Sequence, residues 1–96
     1  MMPGGLGDVK EVDEEVTILA INMKEQVEEN LGETFDIFEP ILYTTQVVAG
    51  INYIIKVHVG NEKFVHIKIH VPLSVTNSPN VLLECESNMT LYDPLK

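Results

Sequence analysis

The chain has no arginine, and six lysines face fifteen acidic residues, for a net charge of −9. Nucleic acids and anionic membranes both require a basic footprint, which this balance does not provide. A single cysteine, Cys85, excludes an internal disulfide, so the core must hold without a covalent staple. No apolar run approaches the roughly 20 residues that cross a bilayer as a helix. Residues 1–6 lack the apolar stretch of a secretory signal. A free thiol without such a signal makes the cytoplasm the expected location. Asn88-Met89-Thr90 matches the N-glycosylation pattern, which is silent in a chain that is not secreted. There is no CxxC spacing and no glycine-rich phosphate loop, and neither metal nor cofactor is expected.

What is present is one small domain's worth of chain: 96 residues, 45% of them apolar. The charge is uneven, −8 over residues 1–36 and −1 over the rest. Residues 1–8 hold Pro3, Gly4, Gly5 and Gly7 without periodicity, and by composition read either as a frayed terminus or as a flexible trunk that orders on contact with a partner. Val12, Val16, Leu19, Ala20, Met23, Val27 and Leu31 then repeat at three- and four-residue steps, the stripe of an amphipathic helix over 12–31. Ile18 and Ile21 widen that stripe. Asp13 is the expected N-cap, Glu14 and Glu15 suit the first turn, and Gly32 is a natural stop. Glu25, Glu28 and Glu29 lie off the stripe and read as a solvated face.

Beyond Gly32 the period falls to two. Ile51, Tyr53, Ile55, Val57 and Val59 alternate with Asn52, Ile54, Lys56 and His58; Val65, Ile67, Ile69 and Val71 alternate with Phe64, His66, Lys68 and His70. Both are half-buried strands with odd positions inward. Like faces meet only if paired residue numbers sum to an even value. An odd-length Gly60-Asn61-Glu62 loop satisfies this and sets Val57 beside Val65 and Ile55 beside Ile67. Residues 41–45 form a weaker strand begun at Pro40, an edge or bend position. Residues 72–80 read as a loop. A last strand spans 81–86, with Cys85 on the parity of Val81 and Leu83 and expected as a small core residue. The order is one helix and then four antiparallel strands, an α+β arrangement with the sheet wrapped on the helix. The organisation is a single domain over 1–96: trunk 1–8, helix 12–31, sheet 37–86, tail 87–96.

Gln46-Val47-Val48-Ala49-Gly50 is the one place where residues 41–59 can break, because 19 residues far exceed the usual strand of roughly 3–10. Ala49-Gly50 supplies the small residue and the free φ that a reversal needs. Such a hairpin leaves Val47 and Val48 at an exposed tip, where apolar side chains mark a partner. The histidines offer no catalysis. His58, His66 and His70 fall on even, outward, solvated positions; in the expected register His66 pairs with Lys56 and His70 with Asn52, with no acid to complete a triad. His66 and His70 are about 13 Å apart by strand rise, too far to share a metal. An enzyme is not expected.

The pentapeptide Gln46 to Gly50 resembles the first inhibitory loop of the cystatin superfamily, which blocks papain-like cysteine proteases. Met1-Met2-Pro3-Gly4-Gly5 is similar to the N-terminus of the stefins, its small intracellular branch. Asn52-Tyr53-Ile54-Ile55-Lys56-Val57 and Val65-His66-Ile67-Lys68-Ile69 resemble stefin strands, so the likeness covers nearly the whole chain. It implies a cystatin-like fold, a single helix packed against a curved antiparallel sheet. It also implies a reversible, tight-binding inhibitor of papain-like cysteine proteases (cathepsin L-, B-, H- or S-like). By the resemblance a three-part wedge contacts the protease: Met2, Pro3 and Gly4 of the trunk, Gln46, Val47, Val48, Ala49 and Gly50 of the first loop, and Leu73, Ser74 and Val75 of the second. The second loop departs from the pattern. Stefins carry Pro-Gly or Pro-His after the leucine, whereas Ser74-Val75 follows Leu73 here and Pro72 precedes it. That loop is expected to contribute less, and it alone motivates the alternative of a non-inhibitory interaction module on the same fold. The chain is expected as a monomer that can exchange parts into a domain-swapped dimer, since odd-inward parity continues unshifted from Val47 to Ile51.

Overall fold

The computed structural model describes residues 5–96. Its elements are β1 (Lys10–Glu11), α1 (Glu14–Ile21), α2 (Lys24–Leu31), β2 (Glu39–Val48), β3 (Gly50–His58), β4 (Phe64–Val71) and β5 (Val81–Met89). The strands form one antiparallel sheet in the order β1-β2-β3-β4-β5, and the helical segments pack on one face of it. This is the expected α+β architecture. The short β1, which pairs Lys10 with Tyr43 and Glu11 with Leu42, adds a strand to the four read from periodicity; two residues are too few to show a period.

The helix starts where its cap dictates. The Val16 N–H donates to Asp13 Oδ1 at 2.9 Å, relieving one of the unpaired donors of the first turn. It ends at Gly32, left-handed with φ of 69°. Between these ends it is two segments rather than one: at Met23 the N–H bonds to Ala20 O, one residue short of the α-helical partner. The tightening leaves Val16, Ala20, Met23 and Val27 all buried. Ile18 and Ile21 do not widen the buried stripe. Both are about half exposed, because the sheet covers only the single line of residues spaced by three and four.

The central register follows the parity rule, with Val57 opposite Val65, Ile55 opposite Ile67, Lys56 opposite His66 and Asn52 opposite His70. Gly60, Asn61 and Glu62 turn the chain with three successive positive φ values. The outer strands carry bulges that period-two reading does not detect. One lies between Pro40 and Leu42 on β2, where proline has no N–H for the ladder. Another sits on β5, where Lys68 pairs with Glu84 but Ile69 with Leu82. It breaks the shared parity of Val81, Leu83 and Cys85. Leu82 and Cys85 pack against the core, whereas Val81 and Leu83 are exposed. Cys85 is half-buried, and that burial raises its thiol pKa, as befits an unreactive packing residue. β5 also runs on to Met89, beyond the expected end of the sheet at 86.

The largest correction concerns the face away from the helix. His66 is not solvated; only 6% of its surface is exposed, and Lys56 beside it keeps 2%. The cause is the C-terminal tail. Lys56 Nζ donates to the carbonyl oxygens of Thr90 (2.7 Å), Leu91 (2.6 Å) and Asp93 (2.8 Å), and Leu95 is buried. All three ammonium protons find acceptors, which is what a charge needs in order to be buried. The same charge lies 5.7 Å from the centre of the Phe64 ring.

His66 has its pKa pushed down to about 4, first by burial and then by the Lys56 charge, against an opposing pull from Asp93. Its Nε2 is buried without a hydrogen-bond partner among the described residues. The unfolded chain therefore takes up this proton first as pH falls. The resulting stability is fully present above the ordinary value of 6.5 and is lost as pH drops through about 4. We expect His66→Leu to lose about 1–2 kcal/mol less stability than the parent between pH 7 and pH 4.5. Thermal or urea unfolding of both proteins at the two pH values measures this, and equal losses would refute the assignment.

Candidate functional site

Antiparallel pairing gathers the chain reversals at one end of the sheet. β2 ends there at Val48, β3 begins at Gly50, β4 ends at Val71 and β5 begins at Val81. The first reversal is tight: Val47 pairs with Ile51 and Val48 with Gly50, leaving Ala49 at the apex. Gly50 makes it feasible in two ways. Its φ of 109° is a conformation that L side chains rarely adopt. It also lies against β4, where a Cβ would strike the Val71 carbonyl oxygen and stand 3.1 Å from Pro72 Cα. The base of the first loop thus rests directly on the start of the second. Val47 stands 61% exposed and Val48 38%, two apolar side chains on a hydrogen-bonded tip.

The second loop is more ordered than a plain connection. Residues Ser74–Thr76 form a turn of 3-10 helix. The Leu73 carbonyl accepts from both the Thr76 N–H (3.0 Å) and its hydroxyl (2.8 Å), and Asn77 closes the turn with φ of 53°. Leu73 is 49% exposed and Val75 88%, with Ser74 between them also at the surface.

The N-terminal segment approaches the same end. From Glu11 back to Leu6 it runs antiparallel to β2, with Lys10 opposite Tyr43 and Leu6 bridged to Gln46. The Gly7 N–H donates to Thr45 O at 2.8 Å, and the Thr44 hydroxyl donates to Gly7 O at 2.7 Å. From Glu11 to Leu6 each residue is therefore one step nearer the tip. Met2, Pro3 and Gly4 lie outside the described residues. Leu6, exposed beside Gln46, is an apolar member of this surface that sequence reasoning missed. Its only signal was a lone leucine in a glycine-rich stretch.

The sequence pairs His70 with Asn52, but the extension of that pair into a polar rung with Gln46 was missed. Gln46, Asn52 and His70 stand opposite one another on β2, β3 and β4. Asn52 Nδ2 donates to Gln46 Oε1 at 3.1 Å, and His70 Nδ1 lies 2.7 Å from Asn52 Oδ1. The register arithmetic places these three residues side by side, so the rung was there to be found.

The electrostatics of this end are plain. Residues 44–55 and 69–83 contain no Asp, Glu, Lys or Arg, so an apolar partner can cover it without stripping water from a fixed charge. Among the described residues the histidines form no catalytic constellation. His58 lies 3.6 Å from Glu39 near the other end of β3, His66 is enclosed, and His70 bonds to an amide. Among the described residues no three His, Cys, Asp or Glu side chains come together as a metal site. The surface can bind, by shape and apolar area.

We expect Gly50→Ala to cost about 1–3 kcal/mol of stability, through its positive φ and the clash with β4. Chemical denaturation measures this, and a parent-like midpoint would refute the account.

Residues 4–89 match the model of the cystatin domain. The chain is 43% identical over 95 residues to cystatin-A1 of Sus scrofa, covering 99% of this chain and 92% of that protein. It is 39% identical over 95 residues to leukocyte cysteine proteinase inhibitor 1 of Sus scrofa, with the same two coverages. To stefin-C of Bos taurus it is 36% identical over 92 residues, covering 96% of this chain and 91% of that one.

Proposed function

The chain belongs to the cystatin family, in its stefin branch, whose members are protease inhibitors and not enzymes, and on that premise we propose how it inhibits cysteine proteases. It fills the active-site cleft of papain-like enzymes, of cathepsin L-, B-, H- or S-like type, reversibly and without offering a bond for cleavage. The observation that carries this reading is the tip itself. Val47 and Val48 are exposed on a hairpin held by the β2–β3 ladder and braced from beneath by β4, with Leu73 and Val75 exposed on the adjoining loop. Full burial of an exposed valine contributes about 1.5–3 kcal/mol; with Val47 61% and Val48 38% exposed, the two together offer about that much, or roughly one to two powers of ten in affinity. A tip already folded also avoids part of the ordering cost of association.

In this reading Val47 and Val48 press into the primed side of the cleft. Leu73, Ser74 and Val75 extend that contact, with Val75 taking the prominent place where other stefins have glycine or histidine. Met2 and Pro3 occupy the unprimed subsites, and Gly4, lacking a Cβ, lets the trunk pass the catalytic cysteine. The uncharged surface of this end supports contact with an apolar cleft, while the acidic helix face stays in solvent. The cytoplasm is the proposed location, as for the intracellular stefin branch.

Papain titrated with the protein tests this directly. We expect inhibition at nanomolar to low micromolar concentration, reversed on dilution. Val47→Asp and Gly4→Arg should each weaken it at least a hundredfold, by placing an unpaired charge in the cleft or a bulky side chain at the nucleophile. No inhibition by micromolar parent protein would sink the reading, and an undiminished Gly4→Arg would remove the trunk from it.

We also propose that the monomer converts on heating to a domain-swapped dimer. Val47 and Ile51 share a face of the pleat, so a straightened 47–51 segment keeps every inward residue inward while β3 pairs with a second copy. The tip then ceases to exist. A dimer isolated by size exclusion should fail to inhibit papain; one that inhibits like the monomer counts against the exchange.

A further inference from the structure

The rung across β2, β3 and β4 lies on the sheet face away from the helix, at the level where both loops begin. Gln46 is the last residue before the two exposed valines. His70 stands two residues before Pro72 and three before Leu73. Asn52 joins them, 3.1 Å from Gln46 Oε1 through its amide nitrogen and 2.7 Å from His70 Nδ1 through its oxygen. All three are half-buried, and none belongs to the apolar core. The backbone ladder already sets the strand register here. What the side chains add is a link between the two loops.

The link has a direction. Asn52 Oδ1 can only accept, so His70 must carry its proton on Nδ1. Asn52 Nδ2 can only donate, so Gln46 presents its oxygen to β3. With its proton on Nδ1 the imidazole holds the Asn52 amide in this orientation, and that amide in turn meets the Gln46 amide oxygen at the foot of the tip. Gly50, the first residue of β3, lies against the same β4 segment, with His70 Cε1 3.1 Å from where its Cβ would be. His70 thus reaches the base of the first loop through the rung and also stands close beside Gly50.

We infer that Asn52 and His70 are positioning residues for protease inhibition: through Gln46 they hold the first loop in its binding form and couple it to the second. The inference rests on the inhibitor reading above and adds to it the residues that preorganise the wedge. Neither need touch the protease. Loss of either should leave the wedge intact in composition but looser before binding, so that each complex pays to order the tip. The effect should fall mainly on dissociation.

The test compares the parent with Asn52→Ala, His70→Ala, the double variant and His70→Asn. The last keeps an N–H donor where Nδ1 stands. Two quantities are read: the dissociation rate of the papain complex, and the backbone 15N relaxation of residues 46–50 in the free protein. Each alanine variant should dissociate about three- to tenfold faster, the range of one net hydrogen bond. The double variant should be no worse than the worse single, because the rung acts as a unit. His70→Asn should stay near the parent, and the alanine variants should show enhanced motion at 46–50 while the rest of the sheet relaxes like the parent. The proposal is overturned by parent-like relaxation in the alanine variants, by losses that multiply in the double variant, or by a His70→Asn as weak as His70→Ala. If the parent does not inhibit papain, the inhibitor reading falls by itself, and the relaxation arm still decides whether the rung orders the loop.

Discussion

Everything in this fold is arranged around a central strand buried on both faces. β3 lies third of five in the sheet. Its odd residues Ile55 and Val57 meet the helix, while its even residues Ile54 and Lys56 are equally enclosed on the far side. A one-residue slip would exchange the two sets and drive an ammonium group into the apolar core. The pairing of β3 with its neighbours is therefore specified from two directions at once. That double constraint fixes the height at which β2 and β3 reverse and where β4 passes beneath Gly50. The exposed tip is a rigid consequence of an enclosed strand.

Charge is partitioned along the same lines. The acidic excess is concentrated in residues 1–36, and the end that carries the loops has none. The acidic side chains of α1 and α2 are mostly exposed to water, and a large net charge keeps compact molecules apart. The two needs are met on different parts of the molecule. Repulsion between copies comes from the helix, and the apolar tip remains free of any charge that would have to be desolvated on contact.

Much of this was legible in the sequence, and the failures share a cause. The helix caps, the Val57–Val65 register and the exposed valines all follow from periodicity and turn chemistry, which act locally. The bulges near Pro40 and on β5 were invisible, because a bulge is a relation between two strands and leaves each strand's alternation almost intact. The enclosure of His66 and Lys56 was misread for a related reason. Alternation tells which residues share a face, not whether something else will cover it. The covering segment, residues 90–96, has no period to announce it. Ile18 and Ile21 erred in the opposite sense, apolar in sequence yet beyond the reach of the sheet. The proposed wedge rests on resemblance; the rung behind the first loop needed only the register numbers, applied to polar residues as well as apolar ones.

The grip of Lys56 on the C-terminal tail has a further consequence. All three of its acceptors are main-chain carbonyls, and every residue type supplies one. The ammonium group therefore reads the path of the tail and is indifferent to its side chains. Leu91 is free to be another residue as long as the backbone keeps that curve, whereas the Asp93 carboxylate and the Thr90 hydroxyl help to set it by accepting from the Thr90 and Tyr92 N–H groups, and Leu95 is held by its own burial. The sheet thus holds the tail by its main chain, while a few of the tail's own side chains keep that main chain in shape.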